Sequence, residues 1–233
     1  LTSPSFDDVP VRDAATVALL CDAPDGPEVF MLKRSSAAVF SPSAHVFPGG
    51  ALDDSDRVDE LAAWCSPFEP VDDDVSLAYY VAAIREAFEE AGLLLAYDAT
   101  GGIIALDEPD TAERFALHRK AMHAGDVSIA SLCAAEGLTL ATDTLVPFGH
   151  WITPKGAPRR FDTRFFATRA PARQHATPDE VETTEGLWTR PDDLLVANDD
   201  GDVELILPTR RSLERLACFP RVDDALEGLA LPR

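Results

Sequence analysis

The run ATVALLC from Ala14 to Cys21 is apolar and rich in β-branched residues, which predicts a strand. Val29–Lys33 (VFMLK) predicts its hairpin partner across the turn DAPDGPE, and residues 1–10 read as a loose arm. A Ser/Ala/Pro loop over 34–45 leads to His45-Val46-Phe47-Pro48-Gly49-Gly50. Val75–Leu95 carries the strongest helical periodicity. At 100° per residue, Leu77, Tyr80, Val81, Ile84, Phe88 and Ala91 fall within one arc of about 100°, the expected core face. Further helices are predicted at Thr111–His123, Ser128–Glu136, from Pro191, after Pro208 and after Val222. Strands are predicted at Thr144–Ile152, Arg160–Thr168 and Gly186–Thr189, and 171–181 reads as a polar loop. Short strands mixed with helices favour an α/β sandwich with a mixed sheet. No repeat and no linker divides the chain, so residues 1–233 are expected to form one domain.

Composition narrows the function. The 233 residues hold 41 acidic against 20 basic side chains, a formal net charge of −21. Such a chain repels polyanions at long range, which argues against nucleic acid and against a polybasic membrane anchor. No run approaches the ~20 apolar residues of a membrane span. The opening LTSPSFDDVP has neither a basic n-region nor an apolar h-region, so no secretory signal is expected. Cys21, Cys65, Cys133 and Cys218 form no CxxC and read as reduced thiols, mostly in core positions, consistent with a cytoplasmic protein.

Glu86, Glu89 and Glu90 share the other arc of the 75–95 helix, with small Ala82 and Ala83 one turn earlier. Three carboxylates on one face repel, and they sit toward the helix end where the macrodipole is also negative. Only Arg85 is near along the helix. A hard divalent cation would relieve the conflict; an ordinary solvated acidic face is the alternative. Gly49-Gly50 adds backbone that can approach a ligand closely.

These words, FPGGALDDSD (47–56) and REAFEEAGL (85–93), resemble the two halves of the Nudix box, G-x5-E-x7-R-E-U-x-E-E-x-G-U with U aliphatic. With Gly50 as the first glycine, the first acid falls on Asp56 in place of Glu. Between Asp56 and Arg85 lie 28 residues where the pattern has seven, an insertion of 21 residues at about 57–77. An interruption here, with AHVFPGG before it and RRFDTRFFAT after it, resembles a Nudix subgroup that includes a peroxisomal coenzyme A diphosphatase. A second, helical insertion is expected at about 109–140.

The resemblance implies a Nudix-type α/β/α sandwich with helical insertions. It also implies a metal-dependent hydrolase that cleaves a small-molecule diphosphate with Mg2+ or Mn2+. A coenzyme A or acyl-coenzyme A substrate leads; an NADH or ADP-ribose type of dinucleotide is the alternative, followed by a catalytically silent Nudix-fold regulator. Glu89 and Glu90 are implied metal ligands, as is the Gly49 carbonyl. Glu86 is implied as a ligand or as the base, and Arg85 as the group that orients a box carboxylate. A further Glu from the loop before Trp188 is expected, Glu182 first and Glu185 second, with a plain acidic loop as the alternative. Arg160 and Arg164 share a strand face with Asp162, either as a phosphate cradle or as a surface ladder. Arg34 could reach a phosphate or be solvated. His45 and His150 are expected in hydrogen-bonded structural roles. Relatives of this kind are often homodimers.

Overall fold

The computed structural model describes residues 9–35, 43–67, 75–179 and 183–230. β1 (Val11–Ala23) and β2 (Gly26–Arg34) form an antiparallel hairpin in which Ala23 faces Gly26 across Pro24 and Asp25. The strands thus run into the segment expected as a seven-residue turn; Gly26, at φ 124°, takes the conformation that closes so short a loop.

Beyond Leu20 and Val29 the two strands diverge. β3 (His45–Val46) pairs with Leu32 and Lys33 of β2, while β4 (Gly49–Ala51) pairs with Ala14–Thr16 of β1. Segment 45–51 is therefore a wedge in the split hairpin, held by the Val17 N–H donating to the Pro48 carbonyl at 2.9 Å. These two strands are too short to give a periodic signal, and the pattern of the sequence predicts neither.

The chain then makes two 3-10 turns, Asp54–Arg57 and Asp59–Trp64, and enters α1 (Leu77–Ala91). β5 (Ala96–Tyr97) pairs with β6 (Thr139–Leu140), and α2 (Pro109–His123) and α3 (Ile129–Glu136) lie between them. Ser128 caps α3 by accepting the Ser131 N–H. β7 (Val146–Ile152) is antiparallel to β8 (Arg160–Arg169), which runs parallel to β1, and β9 (Thr183–Thr189) pairs with β2. α4 (Pro191–Asp199), α5 (Leu207–Leu216) and α6 (Val222–Leu229) follow.

Strand alternation sorts the core into two layers. Ala15, Val17 and Leu19 of β1 pack with α1, α2 and α3; Ala18 and Leu20 pack with Leu194, Leu213, Val222 and Leu229 of the last three helices. The result is the expected α/β/α sandwich about a mixed sheet.

The insertion in the box is not surface decoration. Leu61 is buried in the α1 core, and the Ser66 N–H donates to the Leu140 carbonyl at 2.9 Å, tying it to β6. The cysteines are all free, but only Cys133 is fully buried; Cys21 and Cys65 are half-buried and Cys218 is exposed, which corrects the expectation of mostly core positions. Among the described residues no helix is long and apolar enough to cross a membrane.

Candidate active site

α1 is buried on almost all sides, Arg85, Glu86 and Glu90 included. Its acidic face is thus no solvated face. It turns toward β4, and a Cβ built on Gly50 would lie 2.5 Å from Glu86 Oε1. Gly50 is glycine because the carboxylate occupies the space a side chain would need. At Gly49 the obstacle is β1, with Thr16 Oγ1 at 2.4 Å from such a Cβ. The Gly49 N–H donates to Glu90 Oε2 at 2.8 Å, so the glycine bend grips the third acid of the ridge by its backbone.

Arg85 is the hub. Its Nε–H donates to Asp56 Oδ1 at 3.0 Å. Nη2 donates to Asp56 Oδ2 at 2.9 Å and to the Ala51 carbonyl at 3.0 Å. Nη1 donates to Glu86 Oε1 at 2.9 Å and Glu89 Oε2 at 2.8 Å. All five guanidinium N–H donors are used, which only the planar fork of arginine permits. Asp56 is 2 % exposed and accepts the Asp53 N–H as well. The 21 inserted residues leave the contact between the two halves of the box intact.

Burial pushes the Glu86 carboxyl up to about 7, because the charges of Glu89 and Asp56 outweigh part of what Arg85 offers. Burial also raises the Glu89 carboxyl, with Arg85 opposing. For Arg85 burial acts downward, but the Asp56 hydrogen bonds and the charges of Glu86 and Glu89 hold its pKa above the ordinary value.

Two basic side chains were not expected from the sequence. Arg119 Nε and His123 Nε2 of α2 both donate to the Glu89 carbonyl at 2.8 Å. The Thr177 N–H donates to the Ala91 carbonyl at 2.8 Å, and Gly92, left-handed at φ 70°, ends the helix. Carbonyls of the last helical turn lack partners within the helix. Arg119 and His123 supply them, and Arg119 adds the positive charge that three acids near a C-terminal end call for. No periodicity could link positions 119 and 123 to position 89.

The remaining expected residues fall elsewhere. Glu182 lies outside the described residues. Its neighbour Asp179 has a fully buried side chain, 3.8 Å from His123 Nε2, and accepts both the Thr183 N–H and hydroxyl. Glu185 is a strand residue of β9, exposed and paired with Lys33 at 3.2 Å rather than with the acid ridge. Arg164 lies on the α1 face of β8, its guanidinium 5.9 Å from the Tyr79 ring and its Nε buried with no hydrogen-bond partner. Asp162 is hydrogen-bonded to His150 at 2.6 Å and stands 4.0 Å from Arg164, so the expected ladder is only partly closed. Arg160 donates to the Thr153 carbonyl at 3.0 Å. Arg34 has a buried Nε without a partner. His45 departs from the expected structural hydrogen bond: its Nδ1 is buried without a partner, and burial, aided by Lys33, lowers its pKa. Trp188, partly buried, packs against the core with its ring 5.3 Å from Phe30.

Buried and half-buried oxygen donors crowded on one helix beside a Cβ-free bend suit a hard cation. The carboxylates now turn to Arg85 and the Gly49 N–H. Accordingly, among the described residues no three His, Cys, Asp or Glu side chains stand as a preassembled metal cage.

Comparison with known proteins gives a consistent answer. Residues 68–216 match the family described as the NUDT19 Nudix domain. A chicken (Gallus gallus) relative named acyl-coenzyme A diphosphatase NUDT19 is 29 % identical over 93 % of this chain and 73 % of its own length. The human protein of the same name is 29 % identical over 88 % of this chain and 66 % of its own. This chain therefore spans about two thirds to three quarters of those relatives. The crystal structure of a Nudix hydrolase from Alicyclobacillus acidocaldarius superposes with a TM-score of 0.80 at 29 % identity, covering 97 % of this chain and 100 % of the other.

Proposed function

This chain belongs to the Nudix hydrolase family, and on that premise we propose that residues 1–233 act as one domain that hydrolyses the diphosphate linkage of a coenzyme A derivative with Mg2+ or Mn2+. The observation that carries the reading is the ridge of buried Glu86 and Glu90 and half-buried Glu89 against the Gly49-Gly50 bend, with Arg85 joining both halves of the box. The substrate class is taken from the names of the chicken and human relatives.

Glu86, Glu89, Glu90 and the Gly49 backbone are the proposed holders of the divalent ion. When bound, such an ion neutralises charge on the phosphoryl oxygens and makes bound water more acidic. Glu86 is also proposed as the base: it is buried, and its carboxylate stands where a side chain on Gly50 would lie. It takes the proton of the attacking water, a bond forms from that oxygen to one phosphorus, and the other phosphate leaves with the bonding electron pair. Arg85 holds Glu86 and Glu89 in position, and Arg119 and His123 fix the turn that carries them. Arg34, Arg160 and Arg164 are proposed to face substrate phosphates, and Glu182 to serve as a loop carboxylate. All three box acids are present, which disfavours a silent binding module. Four free cysteines suit a reducing compartment such as the cytoplasm.

The test is turnover of coenzyme A, acyl-coenzyme A, NADH and ADP-ribose with Mg2+ and Mn2+, followed by product mass. Release of adenosine 3′,5′-bisphosphate from coenzyme A is expected. Hydrolysis of NADH or ADP-ribose alone would replace the substrate assignment, and no hydrolysis of any of the four would remove the enzymatic one.

Gly50→Ala is a second test. Its methyl would meet Glu86 Oε1 at 2.5 Å, so the carboxylate must shift. A displacement near 1 Å costs on the order of 10²-fold in rate. A fall of that size in kcat is expected with the far-UV spectrum unchanged; full activity would show that Glu86 need not sit where it does.

A further inference from the structure

We propose that the cavity at the N-terminal ends of β1 and β8, lined by Arg12, Arg159 and Arg160, binds a phosphomonoester dianion. The parallel register sets Val11 beside Arg160 and Arg12 beside Phe161, so Arg12 and Arg160 leave opposite faces of the sheet, and it is at the open strand ends that Arg12, Arg159 and Arg160 line one cavity. Among the described residues no carboxylate lines the cavity, in a chain whose net charge is −21. Among the described residues the Arg12 and Arg159 side chains make no ion pair and no hydrogen bond. Arg160 is aimed by two neutral acceptors, the Thr153 carbonyl at 3.0 Å and the Val9 carbonyl at 3.4 Å, which orient the fork and leave its charge uncompensated. The acids nearest in sequence on these two strands are engaged elsewhere, Asp13 by Arg57 and Asp162 by His150, each at 2.6 Å.

Size and stiffness fit the same ligand. The cavity measures about 240 Å3, below the ~300 Å3 lower end of pockets for drug-sized molecules, so it suits one group rather than a whole cofactor. Pro10 and Pro158 wall it with restricted backbone, and Phe161 gives it an apolar side. Arginine forks bind phosphate bidentately, and a preformed wall lowers the ordering cost of doing so.

A dianionic phosphate group can come from two sources. One is the substrate itself, whose reading rests on the coenzyme A assignment above. Arg12 is three residues from Ala15, which pairs with Gly50, about 10 Å along the strand and, by alternation, on the opposite face, so the substrate's phosphate would have to reach round the strand ends. The other source is free phosphate.

The experiment titrates inorganic phosphate into the metal-free protein by phosphorus NMR or calorimetry. Wild type is expected to saturate, with affinity falling as salt rises. The double variant R12A/R159A, whose side chains are exposed and unpaired, is expected to bind at least about tenfold more weakly with its unfolding temperature unchanged. Arg160→Lys should weaken binding less than loss of both exposed arginines. A kinetic arm compares KM for coenzyme A with KM for its 3′-dephospho form. A ratio raised about tenfold in the double variant assigns the cavity to the substrate's own phosphate. An unchanged ratio with lost phosphate binding assigns it to the free ion. Two results overturn the site: phosphate binding that survives in the double variant, or no saturation of wild type together with an unchanged ratio. If wild type cleaves neither nucleotide, the substrate reading fails alone, and the phosphate titration still decides this cavity.

Discussion

Glu86→Gln is expected to lower kcat by about 10² to 10⁴-fold, the usual contribution of a positioned base, while making the metal-free protein more stable above neutral pH. The sign follows from linkage. In the folded chain the carboxyl titrates near 7, and the ordinary value is 4.5. As pH rises through that window the unfolded chain gives up its proton first, so it binds fewer protons than the folded chain and stability falls. A gap of this size corresponds to at most roughly 3 kcal/mol at 1.36 kcal/mol per pH unit. Glutamine has no proton to lose, so the variant should escape the decline, and its amide can still accept from Arg85. The measurement is urea unfolding in EDTA at pH 5 and pH 8, alongside turnover. Wild type should lose stability between the two and the variant should not. A variant less stable than wild type at pH 8, or one that keeps more than a tenth of kcat, would remove Glu86 from the role of a destabilising base.

Arg85→Met should be among the most damaging single changes in the protein. The side chain is 5 % exposed and serves Asp56, Glu86, Glu89 and the Ala51 carbonyl at once. Methionine keeps much of the stem but strands three carboxylates in a buried site. Breaking one partner of a buried charge network costs about 3 to 5 kcal/mol. That is a large share of the ~5 to 15 kcal/mol that holds a domain together. Arg85→Lys keeps the charge yet has three donors against five, so it should recover only part of the loss. Pairing Arg85→Met with Asp56→Asn in a double-mutant cycle isolates the link between the two halves of the box. Denaturation midpoints that move by less than about 1 kcal/mol would mean that the hub is dispensable.

Much of this was legible before any coordinates. The α1 core residues, the hairpin, the long strand β8 and the C-terminal helices all carry strong periodic or turn signals. The two halves of the box pointed to one another despite the 28 residues between Asp56 and Arg85. What escaped was of three kinds. β3, β4, β5 and β6 are two or three residues long, too short for a period-2 pattern to emerge. The partners of the acidic ridge come from distant sequence, Arg119 and His123 from a helix with little amphipathic character. The burial of α1 on its acidic side was also hidden, because three glutamates on one arc look the same on a solvated face as on a covered one. Glu185 belongs with these cases: its strand pairing with β2 turned a loop candidate into a surface ion pair with Lys33.

The grip of Arg119 and His123 on the Glu89 carbonyl has a consequence for how such domains diversify. The reactive turn is moored from a segment that lies outside the box altogether. A chimera that transplanted only residues 47–93 into another scaffold would carry every acid and still leave that turn adrift. Exchanging the helices around 109–136 between relatives would, in the same way, retune the ridge without altering a single residue of it.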